Sequence, residues 1–159
     1  MSGKILVIFF AALLLLVGGS LYYLQVYHFY REISGPEIPV NMTLVGDQGQ
    51  ALEIPVTDFK GIYSVSTPIG HRACFKTDPA LASTAQPYPQ ATPLGAPGWF
   101  GCFDYGQITD DLASGAAKAY LAQKNIAPKI DNIIAVYPDG RAYEWRQANE
   151  DAEEKRTID

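Results

Sequence analysis

The chain of 159 residues carries 12 Lys+Arg against 17 Asp+Glu, a formal charge of −5 at neutral pH, and only two cysteines. From Gly35 onward the balance is 10 against 16, about −6. That disfavours nucleic acid as a partner, because its recognition rests on clustered Lys and Arg that neutralise phosphates. The length past the first apolar stretch suits one domain with a modest core, and the acidic surplus reads mainly as solubility.

The first stretch is the most informative. Ile5–Leu24 is almost wholly apolar, and no charge lies between Lys4 and Arg31. A hydrocarbon core of about 30 Å needs roughly 20 such residues, and a lone span in lipid must be helical because its backbone groups have no water to bond. Tyr22, Tyr23, Tyr27, Phe29 and Tyr30 crowd the C-terminal end, where an aromatic belt meets lipid headgroups. The partner expected for residues 5–27 is therefore a lipid bilayer. Lys4 and the terminal amine favour an N-terminus in the cytoplasm, although Arg31 reduces the asymmetry. A cleaved signal peptide is the rival, with Val17-Gly18-Gly19 as a small-residue site before Ser20. The apolar continuation through Leu21–Tyr30 favours retention.

The expected organisation is an anchor over 1–31, a spacer over 32–39, an α+β domain over 40–146 and a charged tail over 147–159. Val40–Val45 and Ala51–Val56 read as a hairpin around Gly46-Asp47-Gln48-Gly49. Ile62–Thr67 and His71–Lys76 read as further strands. Residues 78–97 then carry five prolines without hydrophobic periodicity, which predicts an irregular surface loop. Gly98–Phe103 is a short aromatic segment that must pack on something. Thr109 reads as a helix N-cap, and Leu112, Ala116, Ala119 and Tyr120 recur at helical spacing, with Asn125 and Pro128 closing the helix. Asn132–Tyr137 and Arg141–Trp145 flank Pro138-Asp139-Gly140 as a hairpin, and a fraying tail is expected from Gln147. The fold class is α+β: an N-terminal transmembrane helix, then an antiparallel sheet of about five to seven strands with one packed helix.

Chemistry-bearing residues are few. Cys74 and Cys102 flank the proline-rich loop, each in a small-Cys-Phe context, and two cysteines in an exported domain usually form a structural disulfide. The rival reading adds His71, three residues before Cys74, with Asp104 two after Cys102, as ligands for a soft metal. In a strand, however, residues three apart point to opposite faces, so His71 and Cys74 converge only in a distorted segment. The spacing also lacks the Cys-x-x-Cys of a redox pair. Asp110 and Asp111 are explained as first-turn residues of the helix. Trp99, Phe100 and Phe103 read as core beside the disulfide, and Arg72 with Lys76 reads as a solvated strand face. No nucleophile elbow, phosphate loop, zinc-protease motif or dinucleotide fingerprint occurs. Catalytic residues and cofactors are accordingly not expected.

Tyr22-Tyr23-Leu24-Gln25-Val26-Tyr27, Arg72-Ala73-Cys74-Phe75, Ala96-Pro97-Gly98-Trp99-Phe100-Gly101-Cys102-Phe103 and Val136-Tyr137-Pro138-Asp139-Gly140-Arg141 span nearly the whole chain. Together they resemble a family of short alphaproteobacterial membrane-anchored proteins of unknown function. The resemblance implies an inner-membrane setting and carries no activity with it. The expected function is a membrane-anchored periplasmic interaction or scaffold module, non-catalytic, working on a membrane or periplasmic protein. The alternative is a periplasmic thiol or metal-binding protein using His71, Cys74 and Cys102.

Overall fold

The computed structural model describes residues 2–152, which divide into two compact units at Tyr30 and Arg31. The first unit is helix α1 (Gly3–Tyr23), continued by a π-helical turn over Leu24–His28. An 18-residue window of this 26-residue stretch has a mean hydropathy of 2.6, and none of the stretch is buried. At 1.5 Å per residue α1 alone spans about 30 Å. A helix apolar all round and covered by nothing is poorly suited to water. It is one helix long and apolar enough to cross a membrane. Tyr27 packs its ring on both Tyr22 and Tyr23 near the helix end.

The second unit is an α+β domain. Its strands are β1 (Tyr30–Ile33), β2 (Asn41–Val45), β3 (Ala51–Pro55), β4 (Thr57–Ser64) and β5 (Arg72–Lys76). After them come the single-turn α2 (Pro79–Ala82), helix α3 (Tyr105–Ser114), and strands β6 (Lys118–Ala127), β7 (Ile130–Val136) and β8 (Arg141–Ala148). Six strands form one sheet in the order β1-β4-β5-β8-β7-β6, and β2 pairs with β3 as a separate hairpin. The pairings from β4 across to β6 are all antiparallel. The six-stranded sheet lies within the expected range.

Every residue from Asp131 to Val136 is buried, so β7 is covered on both faces. Alternation sorts what covers it. Ile134, Val136, Ala142 and Phe75 pack under Leu44 and Ile54 of the β2–β3 hairpin and under Ala82 of α2. The opposite face carries Ile133 and Trp145, both fully buried, with Phe103 set edge-on against Trp145 and Tyr143. The β7–β8 turn closes through Gly140 at φ +91°, where a Cβ would come within 2.9 Å of the Thr77 carbonyl oxygen. Only glycine fits both constraints.

Several elements depart from expectation. Residues 30–33, expected as the end of the anchor and the start of the spacer, are strand β1 because they join the main sheet beside β4, and β4 itself runs over Thr57–Ser64 rather than Ile62–Thr67. The helix expected from Thr109 begins earlier, at the N-cap Asp104, and ends at Ser114 because Gly115 takes a left-handed cap at φ +81°. The alanine-rich sequence beyond it is not helix but edge strand β6, where Ala119, Tyr120, Leu121 and Ala122 are buried by pairing with β7. Tertiary pairing overrides the helix propensity of alanine. At the C-terminus, β8 continues to Ala148 and both Gln147 and Asn149 are buried. The expected fraying therefore does not start at Gln147, and residues 153–159 of that tail lie outside the described residues.

The proline-rich segment is the larger surprise. It is irregular past α2 and largely exposed, as expected, but its backbone is bonded to the sheet as a strap. Gln86 and Tyr88 bond the outer edge of β6: the Tyr88 amide donates to the Ala119 carbonyl at 2.8 Å, and the Leu121 amide to the Gln86 carbonyl at 3.0 Å. Next, the buried Gln147 amide acts like a strand backbone. Its Nε2 donates to the Gln90 carbonyl at 2.9 Å, and its Oε1 accepts from the Thr92 amide at 2.7 Å and from Trp145 Nε1 at 3.0 Å. Arg72 then donates from Nε to the Leu94 carbonyl at 2.9 Å and from Nη2 to the Gly95 carbonyl at 3.2 Å. Prolines suit this path, because each removes an N–H that would otherwise need a partner.

Arg72 is 4 % exposed, not a solvated side chain, and it sits 5.8 Å from the centroid of Phe103. A buried guanidinium is tolerable only with its donors satisfied. Replacing Arg72 with Met would orphan the strap carbonyls. Arg72→Met is expected to lower stability by about 2–3 kcal/mol. Arg72→Lys should recover only part of that, since an ammonium cannot fork between two carbonyls. Urea unfolding followed by tryptophan fluorescence checks both variants. Equal stability of wild type and Arg72→Met would contradict the clamp.

Candidate functional site

Strand β5 presents chemistry on both sides of the sheet. Arg72 and Cys74 face the strap, while His71 bonds Glu144 on the other side, as alternation requires.

On the strap side Cys74 and Cys102 are joined by a disulfide, with Cα atoms 6.3 Å apart and a separation of 28 in sequence. Cys74 is buried and Cys102 half-buried. The bond lies at the edge of an open groove of about 700 Å³, whose walls include Phe59, Lys60, Trp99 and Phe100. Phe100 and Phe103 are buried as expected, but Trp99 is half-exposed along the groove. Lys76 is exposed and paired with Asp58 at 2.8 Å.

On the other side a polar cluster is buried in the sheet. Glu144 Oε2 lies 2.8 Å from His71 Nε2, and Glu144 Oε1 accepts from Asn132 Nδ2 at 2.6 Å. Burial alone would raise the Glu144 carboxyl, but His71, the Asn132 hydrogen bond and Arg146 outweigh it and hold it below the ordinary value of 4.5. The Glu144 carboxylate fixes the ring of His71, which lines a cavity of about 300 Å³ together with Arg146, Tyr63, Thr67 and Glu37.

The residues picked out as a possible metal set are thus separated. Cys74 and Cys102 are brought together and bonded, while His71 is turned to Glu144 on the opposite face. Asp104 caps α3 by accepting from the Gln107 amide at 3.1 Å. Asp111 accepts from the Tyr137 hydroxyl at 2.7 Å, which with burial drives that phenol upward, and Asp110 stays exposed. Among the described residues, no three His, Cys, Asp or Glu side chains converge as a metal site. Sequence reasoning missed Glu144, Asn132 and Arg146. In a strand reading Arg-Ala-Tyr-Glu-Trp-Arg, charges at alternate positions signal a solvent face. Only the covering of both faces makes Glu144 a buried residue.

One family model, described as a family of unknown function (DUF6446), matches residues 40–156. The chain belongs to that family. The DUF6446 match takes in β2 through β8, the strap, the disulfide and the His71–Glu144 cluster, and leaves out α1 and β1. No curated protein matches the chain, and no solved structure does.

The cluster has a pH signature. Because the Glu144 carboxyl is depressed in the folded state, the unfolded chain takes up its proton first as pH falls. The contribution to stability is therefore complete above the ordinary carboxyl value and is lost as pH drops through the folded-state value. Glu144→Gln should lower stability at neutral pH and flatten the acid limb of a stability–pH curve taken from urea midpoints. An unchanged acid limb would show that Glu144 is not what titrates there.

Proposed function

We propose that this chain is a non-catalytic binding module held at a membrane by α1, the anchor standing ahead of a domain that takes in β1 as well as the stretch from residue 40 on. The setting is a bacterial inner membrane, with Lys4 on the cytoplasmic side and the domain in the periplasm, where a disulfide is stable. The observation that carries this reading is the groove beside β1 and β4. It is long, open and aromatic, with Phe59 and the half-exposed Trp99 as walls and Lys60 at its rim. Half-exposed aromatic side chains of this kind anchor protein segments, because they bury a large area at low entropic cost. The occupant it suits is an extended segment of a membrane or periplasmic protein, with an apolar side chain for Trp99 and a carboxylate for Lys60.

A photo-activatable residue at Trp99 in the full chain, irradiated in native membranes, tests this. A discrete protein adduct that stays with carbonate-washed membranes, and that the same label placed at Val65 does not give, is expected. Recovery of the chain in the soluble fraction, or equal labelling from Trp99 and Val65, would overturn the reading.

The second reading, a thiol protein, draws on the half-buried position of Cys102 at the groove. Its mark is a mixed disulfide trapped on Cys102 in the Cys74→Ser variant. A metal-binding form has less support, since His71 lies across the sheet from both sulfurs.

A further inference from the structure

The cavity beside His71 contains more hydrogen-bonding capacity than the protein uses. Arg146 is half-buried, and burial pushes its guanidinium down, with Glu144 partly offsetting this. Its Nε is buried without a partner, and its one hydrogen bond, from Nη1 to the Pro68 carbonyl, is long at 3.4 Å. A guanidinium has five donors, and a partly desolvated one is ordinarily saturated. Arg72, only one strand away, shows that saturation with backbone carbonyls. No carboxylate lies within ion-pair distance of Arg146 among the described residues.

Three further groups line the same space. Nε2 of His71 is taken by Glu144, and no protein group bonds Nδ1 among the described residues. The hydroxyls of Tyr63 and Thr67 likewise have no protein partner there. The acid on the cavity wall, Glu37, is exposed, and Glu144 already has His71 and Asn132 as donors. What the Arg146 guanidinium lacks in this cavity is acceptor oxygens.

We propose that this cavity is a binding site for a phosphate group, held by the Arg146 guanidinium with His71 Nδ1 as the selecting contact. The tautomer makes the selection. The selection belongs to the neutral tautomer that donates Nε2–H to the Glu144 carboxylate, in which Nδ1 keeps a lone pair for a donor. Monohydrogen phosphate has a P–OH to give it, together with unprotonated oxygens for the fork of Arg146. Sulfate has the same shape and no proton at neutral pH, so it leaves Nδ1 facing an anionic oxygen. The phosphate is either free in solution or the monoester headgroup of a lipid, since Ile33 and Glu37 on the cavity wall follow the apolar helix closely in sequence.

The test uses the full chain, nitrogen-15 labelled, in maltoside micelles and phosphate-free buffer. The Arg146 Nε–Hε signal and the His71 ring nitrogens are followed on addition of sodium phosphate, then of sodium sulfate. Phosphate is expected to shift both signals saturably, and sulfate to bind about tenfold more weakly, the value of one hydrogen bond. Arg146→Gln should abolish saturation while keeping a dispersed spectrum. The exposed Glu37→Gln, which leaves the sheet untouched, should tighten phosphate binding. A second arm compares nanodiscs of phosphatidylcholine with and without phosphatidic acid. A response to phosphate or to phosphatidic acid supports the site and names its source. Silence in both arms, equal response to sulfate and phosphate, or unchanged binding in Glu37→Gln together with Arg146→Gln would overturn it.

Discussion

The fold depends on how the strap crosses the sheet. A six-stranded sheet needs cover on both faces, and the β2–β3 hairpin supplies only one. The other cover is a segment with little apolar bulk of its own until Phe100. It is held there because the sheet offers specific partners in succession: the edge of β6 for Gln86 and Tyr88, Gln147 for Gln90 and Thr92, and Arg72 for Leu94 and Gly95. The disulfide then ties Cys102 to β5 and delivers Phe103 over Tyr143 and Trp145. In the chain-entropy model a link closing a loop of this length contributes roughly 3.5 kcal/mol. The strap also removes one edge of the sheet from competition with other chains, since β6 is bonded along its outer side.

Both polar features of the domain follow from this covering. Arg72 is buried because the strap lies on it, and its charge is tolerated because strap carbonyls surround it. Glu144 is buried on the opposite face, where His71 and Asn132 satisfy it. Neighbouring positions of one strand thus serve two purposes, clamping on one side and a preset imidazole on the other. The disulfide groove and the His71 cavity are correspondingly distinct surfaces with distinct chemistry.

Much of the frame was legible in the residues themselves. The apolar run, the β2–β3 hairpin, β5 and the β7–β8 hairpin each carry a local signal: length, β-branched content, or a turn with glycine at positive φ. What failed were segments whose structure is set by distant partners. Ala119 and Tyr120 continue the helical spacing from Leu112 and Ala116, yet β7 pairs them in an edge strand. Residues 86–95 have no periodicity because their partners are side chains, Gln147 and Arg72, whose inward aim no local pattern reveals. Glu144 and Arg146 look like a wet strand face for the same reason.

The central claim is that residues 86–103 are part of the folded core and not a loop laid upon it. Native-state hydrogen exchange on the oxidised full chain measures this directly, read at the Tyr88 and Thr92 amides and at Trp145 Nε1. The account predicts that these protons exchange with nearly the same free energy as the amides of β7, through opening of the whole domain. Fast exchange at Tyr88 and Thr92, with β7 still protected, would contradict it.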